Sequence, residues 1–407
     1  MKKTVLREYA KLIARKGANV QKGQEVVISA ELDCPEFVKY TVEECYKAGA
    51  SKVTVQFSYQ PLTKVNVKYQ KPKTLGRVEK WEEERLSHRL DTLPATIYLV
   101  SEDPDGLKGM DQKKYSAAIQ SRMKVIKPYR DKMDNHYQWC IAAVPGEMWA
   151  KKIFPGVRTA KAVEMLWDAI LSCSRAYGDP INNWEEHNAE LRDHYTKLNN
   201  MQLKTLHYKA SNGTDLTVGL RELGEFAGGE ETTLEGVKFN PNIPSEECFV
   251  SPKKGEAEGI VYSTKPLSYN GELIDEFWIR FKDGKAVECG AKQNEELLKE
   301  LINMDEGAAY LGECALVGFD SPINESGLLF YNTLFDENAC CHLALGRGFP
   351  ETTKDFEKYT LKELHEMGVN DSIIHEDFMI GTADLEITGT SFDGKEYQIF
   401  KNGKWAF

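Results

Sequence analysis

A histidine and two acidic residues interrupt an otherwise apolar segment, IIHEDFMIG, at His375, Glu376 and Asp377. Titratable groups inside a buried segment lower stability unless a partner compensates for the lost water. If the segment is a strand, His375 and Asp377 point to one face and Glu376 to the other, because side chains alternate along a strand. An imidazole and a carboxylate on one face make half of a metal site. They equally make a hydrogen-bonded pair in a core, and this segment alone favours that second interpretation.

Three further segments place charged or imidazole side chains inside apolar strand patterns. IPSEECFVSP contains Glu246 and Glu247, AAYLGECALVGF contains Glu313, and NACCHLALGRGF contains His342. A lone ionised carboxylate among apolar neighbours, as at Glu313, is costly, and a bound cation would offset that cost. Two histidines and three carboxylates suit two divalent ions, with one carboxylate bridging them. The set as a whole therefore favours a metal site over a polar network buried in a core.

The nine cysteines show no CxxC motif and no repeated spacing, which indicates reduced thiols. Those next to a proposed ligand, at Cys248, Cys314 and Cys341, would face away from it on a strand and pack as small apolar side chains. Cys340 shares a face with His342, but a free thiol is the preferred interpretation there too. No GxSxG motif is present, so a serine nucleophile is not expected.

The segments that must position these residues fall into two regions. Over 1–205, apolar segments such as EVVISA and KVTVQF alternate with helical patterns, which is typical of a mostly parallel sheet covered by helices. Over 206–407, short strands separated by Asn-Gly and Asp-Gly turns predict hairpins. We therefore predict an α/β scaffold domain followed by a β-rich α+β domain that binds the metals. No glycine-rich phosphate loop follows a strand of the first region, so a nucleotide site is not supported.

Composition narrows the classes of partner. The chain has 63 Asp and Glu against 52 Lys and Arg, a net charge of -11, and no long basic block, which argues against nucleic acid. No uninterrupted apolar run approaches the length of a membrane span, and the first residues carry charges every few positions. We expect a soluble, cytoplasmic protein that binds neither nucleic acid nor membrane.

Four segments, in the order NIPSEECFVSP, YLGECALVGFD, FDENACCHLALGRGFP and IHEDFMIGTADLEITG, resemble the M29 peptidase family of metallo-aminopeptidases. The likeness extends to the N-terminal segment GQEVVISAELDCPEFVKYTVEECYKAGASKVTV and so spans nearly the whole chain. It implies removal of amino-terminal residues from short peptides, two divalent cations (Zn, Co, Mn or Mg), and a homodimer with a secluded active site.

The resemblance also implies the metal ligands residue by residue. They are Glu247, with Glu246 as its rival, then Glu313, His342, His375 and Asp377. Among them, Glu313 is the candidate for bridging both ions and for accepting the proton of the attacking water.

The sequence departs from the family at one position. Members usually carry a tyrosine seven residues after the HLALG histidine, and this chain has Phe349 there. Phenylalanine keeps the ring but cannot donate a hydrogen bond, and loss of one transition-state donor typically costs about a hundred- to a thousandfold in rate. The departure predicts weak activity, another donor, or a different substrate.

Two competing functions follow from these residues. His342, His375 and Asp377 alone would form the two-histidine, one-carboxylate triad of mononuclear non-haem Fe(II) oxygenases. Ring-cleaving dioxygenases of the same superfamily, which resemble the M29 fold, use such a triad. The additional Glu247 and Glu313 favour hydrolysis, because such an iron site does not need them. The other alternative is a weakly active or non-catalytic peptidase relative, and it rests on Phe349.

Overall fold

The computed structural model describes every residue from Met1 to Phe407. Its helices, numbered along the chain, are α1 Lys3–Leu12, α2 Pro35–Ala48, α3 Gln60–Tyr69, α4 Pro72–Leu75, α5 Lys80–Thr92, α6 Gln112–Met133, α7 Glu147–Ile153, α8 Thr159–Cys173, α9 Pro180–Met201, α10 Glu295–Ile302, α11 Pro322–Glu325, α12 Thr333–Asp336 and α13 Leu361–Glu366. No helix has the length and apolar character needed to span a membrane.

The strands are short except around the large hairpins of the second half. They are β1 Glu25–Glu31, β2 Lys52–Ser58, β3 Ala95–Val100, β4 Trp139–Ala143, β5 Leu203–Lys209, β6 Asp215–Leu220, β7 Glu231–Thr232, β8 Lys238–Phe239, β9 Asn242–Ile243, β10 Cys248–Val250, β11 Pro252–Tyr262, β12 Leu267–Tyr269, β13 Glu272–Lys282, β14 Lys285–Gln293, β15 Leu311–Leu316, β16 His342–Gly346, β17 His375–Met379, β18 Glu386–Ser391, β19 Glu396–Lys401 and β20 Lys404–Trp405.

The chain forms two compact units. One comprises Met1–His187 with Glu230–Ser245 and Asn270–Glu272, and the other comprises the remaining residues. Helix α9 contributes to both units, and two short segments from beyond residue 205 belong to the first. A single domain boundary at residue 205 therefore remains a proposal.

The first unit contains the predicted parallel sheet, in the order β2-β1-β3-β4-β9. Each pair in it runs parallel. The apolar run that forms β1 is buried along most of its length, as expected for a central strand with helices on both faces. Helix α2, which follows β1, starts with Pro35 in its first turn and stops at Gly49, whose φ of 114° an L side chain rarely adopts.

The second unit is β-rich, as predicted, with mostly antiparallel pairing. A nine-stranded sheet has the order β12-β13-β11-β6-β5-β18-β19-β20, with β14 paired to β13. A four-stranded sheet has the order β10-β15-β16-β17, and its three pairs are antiparallel. One apolar core takes residues from both sheets, among them Leu206 and Phe277 from the large sheet and Cys314 and Leu343 from the small one. One face of the small sheet is therefore apolar.

Some helices lie outside the sequence predictions. Helix α3 was not expected, and three of its apolar residues, Leu62, Val65 and Tyr69, stay exposed, so the helix has little buried apolar face for a pattern to reveal. Helix α6 continues through Pro128 to Met133. A proline inside a helix removes one hydrogen bond, and the remaining turns and packing sustain the helix.

Candidate metal centre

The four strands of the small sheet bring the predicted ligands together. Glu247 directly precedes β10, Glu313 lies in β15, and His342 opens β16. His375 and Asp377 lie in β17. Residues that are far apart in sequence therefore meet across neighbouring strands.

The register of the sheet places all five on one face. His342 stands opposite Ala315, two residues from Glu313 on β15, and Asp377 stands opposite Ala344, two residues from His342 on β16. Since residues two apart share a face, the polar side chains line up on one side. The alternating residues Cys248, Cys314, Leu343 and Phe378 belong to the apolar core on the other side.

A β-bulge at Gly312 turns Glu313 toward the ligand face. Leu311 pairs with Leu345 on the core side, but the register shifts before Glu313, which pairs with Ala344. In a regular strand without the bulge, Glu313 would lie two residues from Leu311 and would share its core face. Only glycine fits at the bulge, because a Cβ there would lie 2.3 Å from the Arg347 carbonyl oxygen and 2.5 Å from that of Gly346.

The donor atoms form two groups that share one residue. Glu247, Glu313 and His342 make the first group, and Glu313, His375 and Asp377 make the second; within each, the donor atoms lie within 4.8 Å of one another. The His342 Nε2 lies 3.1 Å from Glu247 Oε2, and the His375 Nε2 lies 3.1 Å from Glu313 Oε2 and 3.3 Å from Asp377 Oδ1. Glu313 thus occupies the position that a bridging carboxylate requires.

The first group is electrostatically perturbed. Burial raises the pKa of Glu313 to about 7, although its hydrogen bond with His375 opposes the rise. Burial disfavours the charged form of His342, but the hydrogen bond and charge of Glu247 outweigh it and raise the pKa to about 9. Strongly perturbed groups that converge in one place are typical of functional sites.

Opposite charges stabilise each other in the second group. Burial works against the charged form of His375, yet the charges of Asp377 and Glu313 hold its pKa well above the ordinary value. Burial also opposes ionisation of Asp377, and His375 outweighs it, so the pKa of that carboxyl is lowered. Without a cation, the two histidines thus supply the positive charge among the carboxylates.

Backbone carbonyls fix both imidazoles from outside the cluster. The His375 Nδ1 donates to the Arg347 carbonyl oxygen at 2.7 Å, and the His342 Nδ1 donates to that of Cys340 at 3.3 Å. Each histidine therefore turns its Nε2 toward the carboxylates. Metal-binding histidines are commonly oriented by such an outer hydrogen bond.

Glu337 is a further buried carboxylate that the sequence patterns did not single out. It opens a 3₁₀ turn, is 9% exposed, and accepts a hydrogen bond from the Asn338 side chain at 3.2 Å. Burial and then the charges of Asp377 and Glu247 raise its pKa well above the ordinary value. The signal for Glu337 in the sequence is weak because its segment, FDEN, is polar and irregular, so an acidic residue there is not an anomaly.

The neighbouring acidic residues and thiols occupy other positions. The Glu246 backbone N–H donates to Asn338 Oδ1 at 2.7 Å, and the Glu246 side chain is in neither donor group. Glu376 pairs with Leu345, on the face opposite His375, and burial raises its pKa to about 8. Cys340 is buried with a raised thiol pKa and also belongs to neither group. The two donor groups therefore contain Glu247 rather than Glu246, and they contain no thiol.

Phe349 lies directly against the cluster. Its ring centroid is 4.8 Å from that of His375 and 5.4 Å from that of Phe249, which it meets edge-on. The ring is partly exposed, as is His375. The aromatic ring therefore forms part of the wall of the site, without a hydroxyl.

Comparison with known proteins agrees with this arrangement of strands and side chains. Residues 2–405 match the family model described as thermophilic metalloprotease (M29). The chain is 39% identical to aminopeptidase AmpS of Bacillus subtilis (strain 168), over 99% of this chain and 98% of that protein, and 39% identical to aminopeptidase 2 of Geobacillus stearothermophilus, over the same shares.

A solved structure, wild-type AmpT from Thermus thermophilus, superposes with a TM-score of 0.89 at 34% identity and covers all of both chains. The resemblance drawn from the motifs is confirmed, and with it the expectation of a metal-dependent aminopeptidase. The chain belongs to the M29 family of metalloproteases.

Proposed function

We propose that this protein hydrolyses amino-terminal residues from short peptides at a site for two divalent cations. The observation that carries the proposal is the sharing of Glu313 between two groups of close donor atoms. One carboxylate between two donor sets is the arrangement that a bridged pair of ions needs. The relatives named aminopeptidases support the reaction class.

The residues present fit two hard or borderline divalent ions. The donors are imidazole nitrogens and carboxylate oxygens, which suit Zn, Co, Mn or Mg. The single Nε2–H of His375 faces both Glu313 Oε2, at 3.1 Å, and Asp377 Oδ1, at 3.3 Å, and it cannot satisfy both buried oxygens, so a cation would compensate Asp377 Oδ1 more fully. Glu247, Glu313 and His342 would hold one ion, and Glu313, His375 and Asp377 would hold the other. The Glu337 side chain interacts with Asp377 and so lies beside the second group.

Bound ions would polarise the scissile carbonyl and lower the pKa of a water molecule. Glu313, which is shared between the two donor groups, is the candidate to accept the proton of that water on a carboxylate oxygen. The Arg347 carbonyl holds His375 in the tautomer that presents Nε2. The ring of Phe349 shields His375 from water on one side but offers no donor to a developing oxyanion.

The dioxygenase alternative gains less support from the geometry. His342 groups with Glu247 and Glu313, whereas His375 and Asp377 form a separate group around Glu313. A single iron would have to draw its three ligands from both groups and leave Glu247 unneutralised. The remaining parts of the proposal, a homodimer with a secluded site and a cytoplasmic location, rest on the family resemblance.

Peptide hydrolysis with a blocked substrate tests the reaction class. The protein is stripped of metal with a chelator, reloaded with Co²⁺, Zn²⁺ or Mn²⁺, and assayed for free amino acid from a panel of dipeptides and from the same dipeptides with an acetylated amino group. We expect release from the free dipeptides only, and only after reloading. Equal release from acetylated dipeptides would overturn the exopeptidase assignment.

A further inference from the structure

Arg221 is a buried cation whose hydrogen bonds go to neutral oxygens. It is 3% exposed, and burial lowers its pKa to about 10. Its guanidinium donates to the Ser251 carbonyl at 3.2 Å, to the Thr352 carbonyl at 2.8 Å, to Thr352 Oγ1 at 2.9 Å, and to Thr353 Oγ1. Burial of a charge is expensive unless hydrogen bonds compensate for it. Here the hydrogen bonds of the buried guanidinium link the short turn that contains Thr352 to the backbone at Ser251.

The Thr352 hydroxyl is the hub of these contacts. It accepts from Arg221 and, at 3.3 Å, from the Ser251 backbone N–H, and it donates to the Phe349 carbonyl at 2.7 Å. The Phe349 backbone N–H in turn donates to Ser251 Oγ at 2.7 Å. Both backbone polar groups of Phe349 are thus held by Thr352 and Ser251. We call Arg221, Thr352 and Ser251 the brace.

The segment that the brace holds touches His375 in two ways. The Phe349 ring packs against the imidazole, and the Arg347 carbonyl accepts the hydrogen bond from His375 Nδ1. His375 is 24% exposed, more than the other four predicted ligands, so fewer surrounding atoms restrain it. Its orientation depends on this one segment more than the orientation of the buried His342 does.

We propose that Arg221 is a positioning residue that acts through Thr352 and Phe349 to hold His375 in the orientation that binds metal. The inference rests on the proposed metal site. Residues that orient ligands from outside the coordination sphere typically change metal affinity by about 10–100-fold when they are removed. The brace is therefore expected to affect affinity for the second donor group, Glu313, His375 and Asp377.

Variants of Thr352 test the hub while the Arg221 charge and its hydrogen bond to the Thr352 carbonyl are kept. Co²⁺ affinity is measured by titration of the metal-free full-length protein, followed by the cobalt absorption spectrum. We expect Thr352→Val to weaken Co²⁺ binding by about 10–100-fold and Thr352→Ser, which keeps the hydroxyl, to restore it. Thr41→Val is the matched control, because Thr41 is a fully buried threonine in helix α2 that donates to the Phe37 carbonyl.

A double-mutant cycle separates positioning from simple stabilisation of the turn. If the brace acts through the aromatic ring, Thr352→Val should add nothing to the loss of Co²⁺ affinity already caused by Phe349→Leu. A Thr352→Val variant with wild-type Co²⁺ affinity, or losses that simply add, would overturn the inference.

The thermal midpoint of the metal-free variants reports any purely structural effect, and Arg221→Lys gives a second variant of the brace with the charge kept. If the inference is right, Arg221→Lys weakens Co²⁺ binding by more than the shift in the thermal midpoint of the metal-free variant would explain. Failure of the proposed function has a different signature: wild-type protein that binds Co²⁺ but cleaves no dipeptide would refute the peptidase and leave the brace standing. Wild-type protein that binds no Co²⁺ would overturn both.

Discussion

Substitution of Gly312 by alanine should disturb the site without removing any donor. The new Cβ would lie 2.3 Å from the Arg347 carbonyl oxygen and 2.5 Å from the Gly346 carbonyl oxygen, both backbone atoms that cannot swing away. To reach an ordinary contact near 3.4 Å, the bulge and strand β16 must separate by about 1 Å. The Arg347 carbonyl is also the acceptor for His375, so the shift reaches two predicted ligands, Glu313 and His375.

The expected magnitudes follow from that displacement. Overpacking of this kind typically costs about 1–3 kcal/mol in stability, and the lower chain entropy of alanine in the unfolded state returns about 0.4–1 kcal/mol. A misplacement of about 1 Å in a catalytic group can cost about a hundredfold in rate. We therefore expect a net loss of about 1–2 kcal/mol and a fall in kcat/KM of about a hundredfold.

The assay compares metal-loaded and metal-free thermal unfolding with dipeptide hydrolysis. Gly318→Ala is the control, since a Cβ at Gly318 would meet mainly the Asp320 carboxylate, at 2.7 Å, which is the end of a partly exposed side chain. The control should keep the wild-type rate. If Gly312→Ala unfolds and hydrolyses like the wild type, the bulge does not aim Glu313 and the reasoning is refuted.

Three further substitutions test individual residues of the site. Phe349→Tyr should raise kcat by at least about tenfold, and by up to about a thousandfold if the new hydroxyl reaches the developing oxyanion; an unchanged rate in a measurable wild-type assay would remove the support for a weakly active relative. Glu313→Gln should lower kcat/KM by at least about a hundredfold and reduce the metal content below that of the wild type, whereas retention of two ions would show that Glu313 does not bridge them. Glu337→Gln should weaken metal binding, because it removes a buried carboxylate that interacts with Asp377 in the cluster; elemental analysis checks this, with Glu376→Gln as a control on the opposite face of the sheet, and an unchanged metal content would show that Glu337 takes no part in the site.

The sequence predicted the parts of the site that follow from strand alternation. His375 and Asp377 share a face because they are two residues apart in one strand, and the adjoining cysteines turn into the core for the same reason. The parallel sheet of the first unit was likewise predictable, because its apolar strands alternate with helical patterns. Local periodicity was sufficient for these features.

Other features depend on contacts that local periodicity does not contain. The bulge at Gly312 reverses the face of Glu313 relative to Leu311, and only the pairing with β16 reveals it. Glu337 reaches the cluster through an irregular turn, so no pattern distinguishes it from an exposed acid. The brace joins Arg221 to Ser251 and Thr352 across a large separation in sequence, and none of the three residues looks unusual alone.

The most direct test of the two-metal site is the metal content of the active protein, measured anaerobically together with release of free amino acid from dipeptides. Two equivalents of divalent metal per chain with hydrolysis that stops on chelation and returns on reloading is the predicted result. Less than one equivalent of metal, or one equivalent of iron with no hydrolysis, would contradict the proposed function.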